Sequence, residues 1–145
     1  MEILELVAIL SCTVFAGAAI YINAAEHPAR LECGTELAAT VFGPSYHRAA
    51  AMQASLAVVA TITGVAVQLN GGSLLWLVGA LLIFLVIPFT FIGIMPTNKQ
   101  LLDPGRDRGS EQTLDLLRKW GRLHAVRSVL SSLAAILYVY GAVSA

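Results

Sequence analysis

The sequence predicts an all-α integral membrane protein, a four-helix bundle forming one transmembrane domain over residues 1–145, with both termini on the non-cytoplasmic side. Three observations carry this. Only 12% of the 145 residues are charged and 57% are hydrophobic, whereas a soluble domain has about a quarter charged residues. The apolar residues gather into four stretches, each close to the roughly 20 residues a helix needs to cross a bilayer core. Nearly all of the charges lie at or beyond the ends of those stretches. Other classes are excluded by the same figures. Nine basic and nine acidic residues leave no net charge, so the excess positive charge of a nucleic-acid binder is missing, and the chain is too apolar to be disordered.

The first span covers about residues 3–26. Its start carries Glu2 and Glu5 and no Lys or Arg, the wrong sign for a signal peptide, so it is expected to remain as a spanning helix. Pro28 disfavours helical geometry at His27 and is expected to end it. The second span, about 46–69, is uncharged beyond Arg48 and holds Ala60-x-x-x-Gly64, a small-residue pair suited to close helix packing. Asn70-Gly71-Gly72 then turns the chain into an antiparallel hairpin with the third span, about 73–96. Pro88 within that span is expected to kink it and to free a carbonyl near Phe84. Together with Pro96 it suggests an opening at that end. The fourth span, about 119–143, contains one charge, Arg127.

Orientation follows from the basic residues. Arg30 and Arg48 follow the first span, and Lys99, Arg106, Arg108, Arg118, Lys119 and Arg122 lie between the third and fourth. The Asn-Gly-Gly turn and the N-terminal tail have none. The loops 27–45 and 97–118 are therefore expected to be cytoplasmic. Cys12 reads as a small buried hydrophobe within the first span, and Cys33, in a cytoplasmic loop, is not expected to form a structural disulfide.

Polar groups inside a membrane are costly and point to function. Trp120, His124, Arg127 and Ser131 fall at i, i+4, i+7 and i+11 and share one helix face. Snorkelling would account for Arg127 alone and an aromatic belt for Trp120 alone, but neither accounts for His124 between them. Cys12, Ala16, Ala19, Asn23 and Glu26 form a facing stripe on the first span, and Tyr46, Ala50, Gln53, Ala57, Thr61 and Gly64 one on the second. Glu26, Tyr46, Gln53, Asn98, Trp120, His124 and Arg127 thus converge on one mouth of the bundle, where a pocket can form. His124 can act as base, with Arg127 and Asn98 stabilising an oxyanion.

Pro88-Phe89-Thr90, Met95-Pro96-Thr97-Asn98-Lys99-x-Leu101 and Trp120-x-x-x-His124-x-x-Arg127, with Glu26-His27-Pro28-Ala29-Arg30, resemble the anthrone oxygenase-like family of small four-helix membrane proteins. The resemblance spans essentially the whole chain. It implies oxidation of anthrones, which are tricyclic aromatic polyketides, to anthraquinones with O2 and no added flavin or metal. The family's polar motif falls on Asn98, Trp120, His124 and Arg127, with Glu26 and Arg30 from the first element. On this reading His124, Arg127 and Asn98 are catalytic, and Trp120, Tyr46, Gln53 and Glu26 bind an apolar aromatic substrate, Trp120 by stacking on its rings.

Two alternatives stand beside it. His27, His47 and His124 with Glu26 would be the donors if iron or copper were bound, or His124 alone if haem were, although no metal-ligand spacing is present. A non-enzymatic membrane binding or accessory protein would need no chemistry at the mouth. Partners on the oxygenase reading are the lipid bilayer, the aromatic substrate and O2, with no nucleic acid; homo-oligomerisation is left open.

Overall fold

A computed structural model describes residues 3–144. Those residues are all helical apart from their turns and one loop. Helix α1 (Ile3–Tyr21) passes through a π-helical turn (Ile22–Glu26) into α2 (His27–Glu32). After a tight turn at Cys33-Gly34 comes α3 (Thr35–Leu69). Helix α4 (Leu74–Phe89) passes through a second π turn (Thr90–Ile94) into α5 (Met95–Leu101), and α6 (Glu111–Val143) completes the bundle. Four continuous rods result, 3–32, 35–69, 74–101 and 111–143, each long and apolar enough to cross a membrane.

The rods extend well past the apolar stretches, so two expected loops need correction. Residues 27–45 form α2, a turn and the first part of α3. Within 97–118, α5 continues to Leu101 and α6 begins at Glu111, which leaves a loop of 102–110. Pro28 does not end the first helix. The His27 N–H reaches back five residues to the Ile22 carbonyl, and this wider turn carries the chain past the proline, which enters the first turn of α2 where a missing N–H costs little. The same device precedes Pro96, with Met95 N–H donating to the Thr90 carbonyl. Pro44 and Pro88 sit inside α3 and α4, where long flanking runs of backbone bonds accommodate the one lost donor.

The rods pack in a square. α1 and α4 each contact both α3 and α6. Outward faces carry Leu10, Val14, Ile62, Leu81, Phe84, Ile92, Val129 and Ile136, all exposed. Apolar surface of this extent suits lipid and would aggregate in water. Two apolar clusters fill the interior. One, towards the 70–73 turn, is built on Phe15, Ile83, Trp76 and Tyr138; the other, towards the basic end, on Phe42, Ile94, Leu117 and Trp120. Glycine permits close packing in the first: Gly64 and Gly79 lie directly against the Tyr138 ring, which stacks on Trp76 at 5.1 Å while its hydroxyl donates to the Ala60 carbonyl at 2.8 Å. Gly71, with φ of +94°, makes the hairpin turn in a conformation that side chains resist.

Candidate active site

Between the two apolar clusters, α6 presents Trp120, His124, Arg127, Ser128 and Ser131 to the interior, and each finds a partner on another part of the chain or on its own helix. Asn23, in the first π turn, is the hub. Its side-chain amide donates to the Gly121 carbonyl at 2.9 Å, which fixes the amide's orientation. Its oxygen therefore accepts, from the Ser128 hydroxyl at 2.6 Å and from His124 Nδ1 at 2.7 Å. Since that oxygen cannot donate, Nδ1 carries the ring proton in neutral His124, and Nε2 keeps its lone pair. Trp120 stacks on the same imidazole at 4.8 Å between centroids, and its indole N–H donates to Asn98 Oδ1 at 2.8 Å.

Arg127 donates from Nη2 to Gln53 Oε1 at 2.6 Å, bridging the diagonal between α6 and α3, and its guanidinium lies over the Phe15 ring at 5.4 Å. Neither of the two ion pairs between described residues includes it: Glu26 pairs with Arg30 at 2.8 Å and Asp115 with Arg118 on the surface. Ser45 adds a hydrogen bond to Glu26. His27 Nε2 donates to the Leu117 carbonyl at 2.9 Å, possible because residue 121 is glycine: a Cβ there would sit 2.9 Å from His27 Cδ2 and Nε2.

These side chains enclose a small chamber of about 20 Å³, lined by Arg30, Tyr46, Gln53, Trp120, His124 and Arg127 together with Ile22, Phe42, Ser45, Ala49 and Ala50. That is room for one water-sized group. Against it lies an apolar groove of about 220 Å³ between α3 and α4, reaching Val86, Ile87, Phe91 and Met95. Tyr46, Ala50, Gln53 and Arg127 line both.

Of the residues expected from sequence, His124, Arg127, Trp120, Tyr46 and Gln53 meet at this chamber. Asn98 does not line it; it is buried behind Trp120. Glu26 is likewise not part of the lining and is committed to Arg30 and Ser45. Trp120, in the chamber wall, also packs against the rings of His124, His27 at 5.1 Å and Phe42 at 5.2 Å. Ser45, Gly121 and Ser128 were not anticipated. Their roles depend on partners in other helices, which helical spacing does not reveal. The alternative metal set does not assemble: among the described residues no three His, Cys, Asp or Glu side chains are grouped to hold an ion. His27 and His124 point to different partners, and His47 lies exposed beside Tyr46.

Comparison with known proteins settles the family. The family model described as anthrone oxygenase matches residues 40–137. The chain belongs to the anthrone oxygenase family. An anthrone oxygenase of Claviceps purpurea (strain 20.1) is 26% identical over 147 residues, covering 92% of this chain and 84% of that protein. No solved structure matches. The anthrone oxygenase match takes in Tyr46, Gln53, Asn98, Trp120, His124 and Arg127, so most of the chamber lies within it, while Asn23, Glu26 and Arg30 come from the rod that precedes it.

Proposed function

We propose that this protein oxidises a lipid-soluble aromatic ketone of the anthrone class to the corresponding quinone, using O2, at the chamber facing the α3–α4 groove. The observation that carries the reading is the pairing of the two spaces. A one-oxygen-sized polar chamber, with His124 and Arg127 in its wall, shares Tyr46, Ala50, Gln53 and Arg127 with an apolar groove of about 220 Å³. The CH2 edge of the central ring faces the chamber and His124, the carbonyl oxygen across the ring lies against Arg127 and Gln53, which line both spaces, and the rings lie along Phe15, Val86, Ile87 and Phe91.

The chemistry asked of the protein is modest. His124 Nε2 removes a proton from the CH2 between the rings, and Arg127 and Gln53 stabilise the resulting enolate oxygen. The electron-rich anion gives one electron to O2, and the radical pair combines to form a carbon–oxygen bond. The proton held by His124 passes to the peroxide. His124 then takes the second proton of the former CH2 as the oxygen–oxygen bond breaks, and returns it to the departing hydroxide. One O2 is consumed, and one quinone and one water are formed. Trp120 supports the imidazole and Asn98 orients Trp120, in place of direct contact with substrate. The excess of Lys and Arg at the chamber end supports a cytoplasmic location for it and a lumenal or external location for the termini.

The test is turnover of anthrone by purified protein in nanodiscs, following quinone absorbance and O2 uptake together. A one-to-one ratio above the uncatalysed rate is expected. His124→Ala should lower kcat by about 10²–10⁴, the usual contribution of a positioned base, in a protein that is less stable but still folded. Full turnover by that variant would remove His124 from the mechanism, and no turnover by the parent protein would favour the binding-protein alternative.

A further inference from the structure

The chamber has a property that the oxygenase reading does not require. Three of its lining residues each carry a buried nitrogen with no hydrogen-bond partner: Arg30 Nε, Gln53 Nε2 and Arg127 Nε. Gln53 is 2% exposed and Arg30 8%. All three atoms are donors, and the Gln53 assignment follows from its oxygen already accepting from Arg127. The charges are also unbalanced. Arg30 is neutralised by Glu26, the neighbouring His27 and His124 are each held by one ring nitrogen in neutral-compatible bonds, and Arg127 has no acidic partner among the described residues. A guanidinium within a membrane-spanning helix needs counter-charge. Water satisfies donors but supplies none.

We infer that the chamber is a binding site for a small inorganic anion of the halide class, chloride in the resting protein, held by Arg127, Gln53 and Arg30. Size limits the choice. At about 20 Å³ the space takes a single group of water dimensions, so a monatomic anion fits whole, whereas a larger anion enters only by one oxygen with its remainder in the apolar groove. Binding of the anion stands on this geometry alone. Its displacement by the enolate oxygen of a substrate rests on the proposed oxygenase reading, and predicts that chloride raises KM without changing kcat.

The experiment uses the full chain in a neutral detergent, with chloride exchanged for gluconate, which is too large for the chamber. Saturable broadening of the 35Cl resonance and a higher melting temperature in chloride than in gluconate are expected. Arg118→Gln, on the surface, should leave both unchanged. Gln53→Glu places a carboxylate beside Arg127; it should raise the melting temperature in gluconate and abolish the chloride dependence. Because this variant supplies the missing charge, it tests the inference even if Arg127→Gln fails to fold. Linear, unsaturable broadening no greater than that of protein-free micelles would overturn the site, as would Gln53→Glu retaining the parent's chloride response. Chloride binding without anthrone turnover would overturn the oxygenase reading and leave the anion site standing. Turnover without chloride binding would do the reverse.

Discussion

Asn23 lines neither the chamber nor the groove, yet it determines which nitrogen of His124 is basic. Asn23→Ala removes three hydrogen bonds, to His124, Ser128 and Gly121. Side-chain hydrogen bonds between membrane helices contribute about 0.6 kcal/mol each on average, with a maximum near 1.7, so the expected loss of stability is about 2 kcal/mol. The larger effect is on chemistry. Without the Asn23 oxygen the ring proton is free to move to Nε2, and the imidazole is no longer held in orientation. We expect kcat to fall about 10²-fold, the low end of what a positioned base contributes, with KM unchanged because no lining residue is altered. Asn23→Asp keeps an acceptor for both Nδ1–H and the Ser128 hydroxyl and should recover most of kcat. Asn23→Leu, of similar size but with no acceptor, should not. The assay is quinone formation across a range of anthrone concentrations, with SDS-induced unfolding measured on the same samples. If folded Asn23→Ala and Asn23→Leu both turn over within twofold of the parent, the tautomer argument is wrong.

Two glycines give further tests. Gly121→Ala gains about 1 kcal/mol of helix propensity, but its Cβ must displace His27 and break the bond to the Leu117 carbonyl, so a net loss of about 1–2 kcal/mol is expected from overpacking and the lost bond; a thermal melt showing equal or greater stability would refute this. Gly64→Ala pushes the Tyr138 hydroxyl off the Ala60 carbonyl, at an expected cost of about 1–3 kcal/mol. Tyr138→Phe removes the crowded oxygen and should partly rescue it, so strictly additive losses in the double variant would argue against the contact.

Much of this architecture can be read from the chain because a bilayer imposes its demands one helix at a time. A scarcity of charge, together with where the charges fall, is sufficient for four spans. The stripe Trp120, His124, Arg127 was legible because it lies on a single α-helix with regular spacing. What completes each of these residues is on another rod: Asn98 for Trp120, Asn23 for His124, Gln53 for Arg127. Such pairings are fixed by packing across the bundle, and nothing local in the sequence encodes them. Helix ends were misjudged for a related reason. Pro28 was read as ending the first helix and the third span was ended at Pro96, although proline's penalty is one backbone bond and a steric clash, both of which a widened turn absorbs.

The first π turn also explains why Glu26 was expected in the pocket and is absent from it. In an unbroken α-helix the inward stripe of α1, through Cys12, Phe15, Ala19 and Ile22, would continue to Glu26 and Ala29. One inserted residue rotates everything that follows by about 100°, and the inward positions become His27 and Arg30, both buried, while Ala29 faces out. The π turn therefore brings a guanidinium and an imidazole into the bundle and moves the carboxylate to its side, where it pairs with Arg30. A π turn has poorer backbone geometry than an α turn and is concentrated at functional sites. Here its effect is specific: it brings Arg30 into the chamber wall and leaves the Glu26 carboxylate at its side as the partner of Arg30. Arg127, against Phe15 and Gln53, has no acidic partner among the described residues, which is the condition both for the proposed stabilisation of an enolate and for the inferred anion site.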